Sequence, residues 1–122
     1  MQEKIKNYLT EQGFNSICID YMPAFEKTPE VIGMMEWDAP ISQPIGEVTH
    51  YLQIQVRRTS YDTAKSTCQR IMELLDSGMN EELIWLDAST SCVARPRRAP
   101  IILERGTGYT TFYCEIAIWI NE

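Results

Sequence analysis

The fold is decided by residues 51–78, which read YLQIQVRRTSYDTAKSTCQRIMELLDSG. In the first eight residues apolar side chains alternate with polar ones, which is the two-residue period of a strand with one buried face. After Thr59 and Ser60, residues that commonly cap a helix N-terminus, the period becomes that of a helix. The apolar side of this helix is predicted to consist of Ala64, Cys68, Ile71, Met72 and Leu75. Gly78 is predicted as the C′ residue that ends it.

The last segment has the clearest strand pattern in the chain. Residues 110, 112, 114, 116, 118 and 120 are predicted to face one way and the residues between them the other. The glycines at 106 and 108 predict a turn before this strand. Residues 101–105 lie on the other side of the turn, so the pattern predicts a hairpin.

Shorter elements are predicted on the N-terminal side. Residues 2–12 read as a helix with Ile5, Tyr8 and Leu9 inward and Gly13 as its C′ cap, followed by a short strand over 16–21. Residues 31–37 are compatible with a strand, in which Gly33 indicates a bulge or a close backbone approach. Residues 83–86 predict another strand, and residues 88–94 read as a strand or a loop.

Together these segments predict one α+β domain that spans residues 1–122. Its sheet is expected to be mainly antiparallel or mixed, with about five or six strands, a long amphipathic helix packed on one face and a short N-terminal helix. A chain of 122 residues is long enough to bury a core without metal or disulfide support. The four cysteines form no CxxC pair and His50 has no second histidine nearby, so we expect free thiols, no metal site and no cofactor.

Charge and hydropathy reduce the number of functions that the protein could have. The net charge of −6 argues against a broad phosphate-binding surface. It is compatible with a protein that DNA passes close to without being bound. The N-terminal residues do not resemble a signal peptide, and no apolar run approaches the roughly 20 residues of a membrane span. We therefore expect folding in a cytosol-like compartment.

The sequence contains no recognisable catalytic motif. Residues 106–108, Gly-Thr-Gly, lack the third glycine of a dinucleotide loop and precede a strand instead of a helix. A Gly-x-Ser-x-Gly elbow is absent, and the carboxylates are scattered without a spacing that indicates an acid–base pair. We therefore expect that the protein is not an enzyme.

Two segments are candidates for a subunit interface. The Pro-rich residues 38–46 contain Ile41 and Ile45, and with the neighbouring Trp37 they are more apolar than a solvated loop requires. They are either buried loop anchors or an arm that packs on another subunit. The second segment, residues 95–100, carries Arg95, Arg97 and Arg98 between two prolines. It is either a solvated loop or an extended arm whose arginines grip an acidic neighbour.

At this point the order of elements resembles a known family. A short N-terminal helix, a Pro-rich middle, the strand YLQIQVR at 51–57, the helix that begins near YDTA at 61–64 and the closing strand GYTTFYCEI at 108–116 are similar to the minor capsid and tail terminator (tail completion) proteins of long-tailed bacteriophages. The resemblance covers most of the chain and is firmest over residues 48–76 and 95–120.

The resemblance implies a structural protein of a phage or prophage virion, either a tail terminator or a head–tail joining protein. Such a subunit forms a homo-oligomeric ring, expected to be a hexamer, that caps the tail tube and meets the head connector. DNA would pass through the ring without specific binding, and no membrane is involved. Assembly would take place in the bacterial host cytoplasm, and the subunit contacts would include residues 37–46 and 95–100.

Two other hypotheses remain open from the sequence. One is a small-ligand or peptide-binding α+β module of a bacterial host, with Trp37, Trp85, Trp119 and Tyr113 lining a pocket. The other is a small hydrolase that uses His50 with a nearby Cys or Asp. Aromatic residues on strands are usually core residues, and a lone histidine is usually not catalytic, so both rank below the assembly protein.

Overall fold

The computed structural model describes residues 1–37 and 49–121 of the chain. This part contains two helices, neither of them long and apolar enough to cross a membrane. The elements in chain order are α1 (Gln2–Glu11), β1 (Ile17–Ile19), β2 (Val31–Trp37), β3 (Thr49–Arg58), α2 (Tyr61–Leu74), β4 (Ile84–Trp85), β5 (Ser91–Pro96), β6 (Ile101–Gly106) and β7 (Tyr109–Asn121).

All seven strands belong to one mixed sheet. Its order is β1-β2-β3-β7-β5-β4, and β6 also pairs with β7. The β1–β2 pair is parallel and the other pairs are antiparallel. This confirms the predicted α+β fold, with the hairpin formed by β6 and β7. The sheet has seven strands instead of the expected five or six, because the segment over 88–94, which the sequence left open as a strand or a loop, contributes β5.

The core lies between one face of the sheet and the two helices. Side chains from α1 and α2 belong to the same buried cluster as one alternating set from the strands, so both helices pack on this face. We call the opposite face the outer face. The strand residues of the cluster are Ile17, Ile32, Met34, Leu52, Ile54, Val56, Cys92, Ala94, Phe112, Cys114, Ile116 and Ile118.

The first helix ends as its sequence predicts. Gly13 has a φ of +100°, and the N–H of Phe14 donates to the carbonyl of Leu9 at 3.0 Å while the N–H of Gly13 donates to Thr10 at 3.1 Å. These two bonds form a Schellman motif, which satisfies carbonyls that the helix end leaves free. Phe14 is thereby turned into the core.

The second helix begins as predicted and ends earlier than predicted. Ser60 is the N-cap, and its hydroxyl accepts a hydrogen bond from the N–H of Thr63 at 3.4 Å. The helix ends at Leu74, so the prediction that Gly78 is its C′ residue is wrong. The chain leaves the helix because the N–H of Ser77 donates to the carbonyl of Ala94 at 2.7 Å. The Ala94 N–H in turn donates to the Ser77 hydroxyl at 2.9 Å, so Ser77 joins the end of α2 to β5.

Replacing Ser77 by alanine is expected to destabilise the fold by about 1–3 kcal/mol, since the buried N–H of Ala94 loses its acceptor. Urea unfolding measures the change. Ser66 is the control: it is an exposed serine within α2, and Ser66→Ala is expected to change stability by less than about 0.5 kcal/mol. Equal effects of the two substitutions would contradict the link between Ser77 and β5.

An ion pair holds α1 against the turn between β4 and β5. The Lys4 ammonium lies 3.3 Å from the Asp87 carboxylate and donates to the Thr90 hydroxyl at 2.5 Å. Asp87 also accepts hydrogen bonds from the N–H groups of Ser89 and Thr90 at 2.8 and 2.7 Å. The bond from the Ser89 N–H, aided by Lys4 and Thr90, lowers the pKa of Asp87 from 3.8 to about 2.

The Asp87 carboxylate is expected to contribute to the free energy of unfolding in a way that depends on pH in the acidic range. Because its pKa is lower in the folded state, its stabilisation is complete above pH 3.8 and is lost as the pH falls towards 2. Asp87→Asn keeps an acceptor oxygen and removes the charge, so the variant should unfold at lower urea concentration than the native chain at neutral pH. The two midpoints should converge near pH 2. A difference that stays constant across this range would contradict the assignment, and Asp76→Asn serves as the control.

Candidate subunit-interaction surfaces

The outer face of the sheet is polar and aromatic. Paired residues share a face, so the register places Gln53 beside Glu115 and Gln55 beside Tyr113 on this side. All four side chains are partly buried. The Gln55 amide donates to the Gln53 side-chain oxygen at 2.8 Å. A row of half-covered amide, phenol and carboxylate groups offers hydrogen bonds to a partner without a large apolar surface.

One end of the outer face is covered by residues 20–30. Arg57 of β3 points into this segment, and its guanidinium donates to the carbonyl of Pro23 at 2.7 Å, to that of Pro29 at 3.3 Å and to that of Thr28. Only 7% of Arg57 is exposed. A buried guanidinium with these three acceptors fixes an otherwise irregular segment against the sheet.

Two further contacts hold residues 20–30 against the outer face. A Cβ at Gly33 would lie 2.2 Å from the sulfur of Met22, so the segment passes directly over the Gly33 backbone. This confirms the predicted close approach. The register of β2 with β3 is continuous, so Gly33 does not form a bulge there. Further along, the Phe25 ring stacks on Tyr109 with centroids 4.6 Å apart.

Arg57→Met should free residues 20–30 from the sheet and cost about 1–3 kcal/mol, because the carbonyls of Pro23, Thr28 and Pro29 lose their shared donor. The measurements are urea unfolding and limited proteolysis, in which the variant should be cleaved faster within this segment. Lys27→Met is the control, since Lys27 is exposed in the same segment. Unchanged cleavage of the Arg57 variant would contradict the role given to the guanidinium.

The predicted basic arm is part of the sheet edge. Arg95 lies within β5, and the backbone N–H of Arg97 donates to the carbonyl of Glu115 at 2.8 Å. The expectation of a projecting extended arm over 95–100 is therefore wrong. The reason is that β7 is long enough to pair with β5 along one half and with β6 along the other, so the connection between them stays beside it.

The three arginines of this segment remain at the surface and face different neighbours. Arg95 lies 3.1 Å from the Glu81 carboxylate, and the Arg98 guanidinium lies 3.9 Å from Glu115. Arg97 reaches across the outer face, with its guanidinium carbon 5.1 Å from the centre of the Tyr51 ring. The exposed Arg95–Glu81 pair contributes little to folding, and the Arg98 guanidinium is itself largely exposed, so these arginines can serve another contact.

The other predicted interface residues lie at the end of β2 and beyond it. Trp37 is the last residue of β2, and its backbone pairs with Tyr51. Ile41 and Ile45 lie outside the described residues. The structure therefore places Trp37 in the same row of the sheet as Tyr51, above which Arg97 lies.

Sequence reasoning did not single out most of the exposed apolar residues as interaction residues. Tyr21, Tyr61, Met79, Leu83, Trp85, Ile102 and Leu103 are large and exposed, and Met79 is 99% exposed. The sequence predicts a strand for Leu83 and Trp85 from a continuous apolar run, and such a run gives no sign of exposure. The bulge between Ile102 and Glu104 likewise interrupts the alternation of β6.

The aromatic residues of the ligand-binding hypothesis are spread out. Tyr113 and Trp119 are six residues apart on one extended strand, which separates them by about 20 Å. Trp85 is exposed on the short strand β4. One small-molecule pocket cannot hold both Tyr113 and Trp119.

The hydrolase hypothesis depends on His50 and on a nearby Cys or Asp. His50 Nδ1 lies 3.1 Å from the Glu36 carboxylate, on the helix-covered side of the sheet. Burial raises the pKa of the Cys92 thiol to about 11, and a hydrogen bond with Cys68 together with burial raises the pKa of Cys114. Thiols with raised pKa values are protonated and weakly nucleophilic at neutral pH. Within residues 1–37 and 49–121, no three His, Cys, Asp or Glu side chains group as metal ligands.

Comparison with known proteins supports the fold alone. No protein-family model and no curated protein matches the chain. Nine chains of solved structures match it. One of them aligns over 100% of this chain and 96% of its own length, with a TM-score of 0.56 and 10% sequence identity. Its name indicates no function, and at this identity the similarity concerns architecture.

Proposed function

We propose that the chain is a structural subunit of a long-tailed phage or prophage virion, either a tail terminator or a head–tail joining protein. It forms a homo-oligomeric ring that caps the tail tube. The observation that carries the proposal is the division of the surface: within the described residues, both helices cover one face of the sheet, and large apolar side chains remain exposed elsewhere. Where exposed apolar residues form a contiguous patch, they typically mark a protein contact.

The order of elements supports the same proposal. A short N-terminal helix, a Pro-rich middle of the sequence, the strand β3, the long helix α2 and the closing strand β7 follow one another as in the family that the sequence resembles. The Arg95–Arg98 region lies on the sheet edge, where an adjacent subunit can reach it. Heterologous contacts between identical subunits close into rings when the rotation allows it.

Charge defines the partners in this proposal. At a net charge of −6, the subunit repels the phosphate backbone, so DNA passes through the lumen without specific binding. The partners are then other copies of the chain, with a hexamer expected, the tail tube protein and the head connector. The protein acts in the virion after assembly in the bacterial cytoplasm, without catalysis, cofactor or membrane.

The test is the mass of the native chain by light scattering after size exclusion over a wide concentration series, with negative-stain images of large species. Closed rings of about six subunits are expected. A chain that stays monomeric up to about 1 mM, where association would be weaker than about −4.1 kcal/mol, would contradict a self-assembling ring.

The predicted interface arginines can be tested in the same measurement. Arg97→Glu combined with Arg98→Glu is expected to weaken ring assembly at least about 10-fold, because reversed charges repel an acidic neighbour. Lys6→Glu combined with Lys27→Glu is the control with the same change in charge elsewhere. Rings that form equally well in both double variants would show that Arg97 and Arg98 are not at the interface.

A further inference from the structure

A small polar cavity lies between the end of α1, the end of β3 and the middle of α2. Its volume is about 230 Å³, and it is lined by residues 13–16 and by Glu30, Arg58, Thr67 and Arg70. Sites for whole small molecules commonly measure about 300–1,000 Å³, so this cavity suits a smaller group. Its residues are separate from the predicted subunit contacts.

Two arginines line the cavity. Arg58 ends β3 and lies two residues after the core residue Val56, which places it on the helix-covered face of the sheet. The guanidinium carbon of Arg70, on α2, lies 4.9 Å from the centre of the Phe14 ring, and this contact holds the cation beside the cavity. Arg70 also borders a second cleft together with Glu73. Among the described residues, Glu73 included, no carboxylate forms an ion pair with either guanidinium.

One carboxylate lines the same cavity. Glu30 precedes Val31, which pairs with Arg57, so Glu30 lies beside the end of β3. Its carboxylate accepts hydrogen bonds from the N–H and the hydroxyl of Thr59 at 3.3 and 3.2 Å. Burial lowers the pKa of Arg58, and Glu30 offsets only part of this effect. Two guanidinium cations and one carboxylate leave the lining with one net positive charge.

A buried hydroxyl also lines the cavity. Only 7% of Thr67 is exposed, yet its hydroxyl makes no hydrogen bond to any described group of the chain. The hydroxyl of Thr10 in α1, by contrast, donates to the carbonyl of Lys6 at 2.8 Å. A buried hydroxyl without a partner is unfavourable, so an acceptor placed in the cavity would be stabilised by it.

We propose that this cavity binds a single carboxylate group. Guanidinium groups donate in a plane that matches a carboxylate, and the Thr67 hydroxyl supplies a further donor. One net positive charge is balanced by the single negative charge of a carboxylate. A phosphate group carries about −1.5 to −2 at neutral pH and would be repelled by Glu30. The carboxylate comes either from a free small acid or from an acidic side chain of a second copy of the chain, and the site itself does not depend on the proposed ring.

The first test is a titration of the native chain with sodium acetate, followed by ¹⁵N NMR and matched in ionic strength with sodium chloride. The Nε–H signals of Arg58 and Arg70 and the amides of residues 13–16 should shift, with half-saturation at about 1–10 mM for a few charge-assisted hydrogen bonds. Inorganic phosphate should bind more weakly. Shifts no larger in acetate than in chloride, or tighter binding of phosphate, would overturn the proposal.

Two variants and a control test the donors. Arg70→Gln should weaken acetate binding at least about 10-fold, because a charged donor is lost. Lys65→Gln removes the same charge from an exposed position of α2 outside the cavity, so its affinity should stay within about 2-fold of the native value. Thr67→Val should weaken binding about 5-fold without lowering the thermal midpoint in the absence of acetate, because its hydroxyl has no partner to lose. Native affinity in both Arg70→Gln and Thr67→Val would overturn the site.

A third variant tests the charge balance. Glu30→Gln keeps an acceptor for Thr59 and raises the net charge of the lining by one. It should bind acetate at least about 3-fold more tightly and lose the preference over phosphate, since a nearby like charge is gone. Unchanged affinities for both anions would overturn the assignment to a singly charged ligand.

Light scattering identifies the source of the carboxylate. If an acidic side chain of a second copy occupies the cavity, saturating acetate and Arg70→Gln should both weaken self-association, whereas Lys65→Gln should not. If a free small acid is the ligand, association stays unchanged while the NMR shifts remain, and both results support the site. Loss of the site-specific shifts overturns it whether or not the native chain forms rings, so this inference and the proposed function fail separately.

Discussion

The structure depends on the pairing of β3 with β7. Ten residue pairs, from Thr49 with Trp119 to Arg58 with Thr110, join the two strands without a break. The same register lines up the core residues of both strands, so the backbone ladder and the apolar stripe support each other. On its opposite edge, β7 pairs with β6 along its first half and with β5 along its second half.

β7 also sets the distances between the exposed residues attached along it. Ile102 of β6 is paired near the beginning of β7, Trp85 of β4 lies near its end through Ser91, and Arg97 is held beside its middle through Glu115. Because a paired strand is stiff, these residues keep their spacing. The proposed ring would benefit from such rigidity, since small changes of angle at each contact would accumulate around it.

Periodicity predicted the elements whose burial alternates regularly. Leu52, Ile54 and Val56, and the even-numbered residues of β7, gave the sheet, and Ala64, Cys68 and Ile71 gave the covering helix. The Schellman motif that ends α1 at Gly13 could likewise be predicted, because it depends on residues that are neighbours in sequence.

Features that depend on contacts between residues distant in sequence could not be predicted from the sequence. The helix α2 ends early because Ser77 bonds to Ala94, and Arg57 is buried because three carbonyls of residues 23–29 converge on it. The candidate interface could be predicted only in part. Its arginines stand out by composition, but the exposure of Trp85 and Leu103 follows from how short β4 is and from the bulge in β6.

Native-state hydrogen exchange tests the central role of β7 most directly. The amides of β3 and of β7 over residues 112–118 should exchange last, through global unfolding, with protection equal to the free energy of unfolding measured with urea. Those of β6 should open earlier, since β6 is paired on one side in the described chain. If the β7 amides exchanged before those of α2, or by local opening well below the global value, the fold would not depend on the β3–β7 pairing.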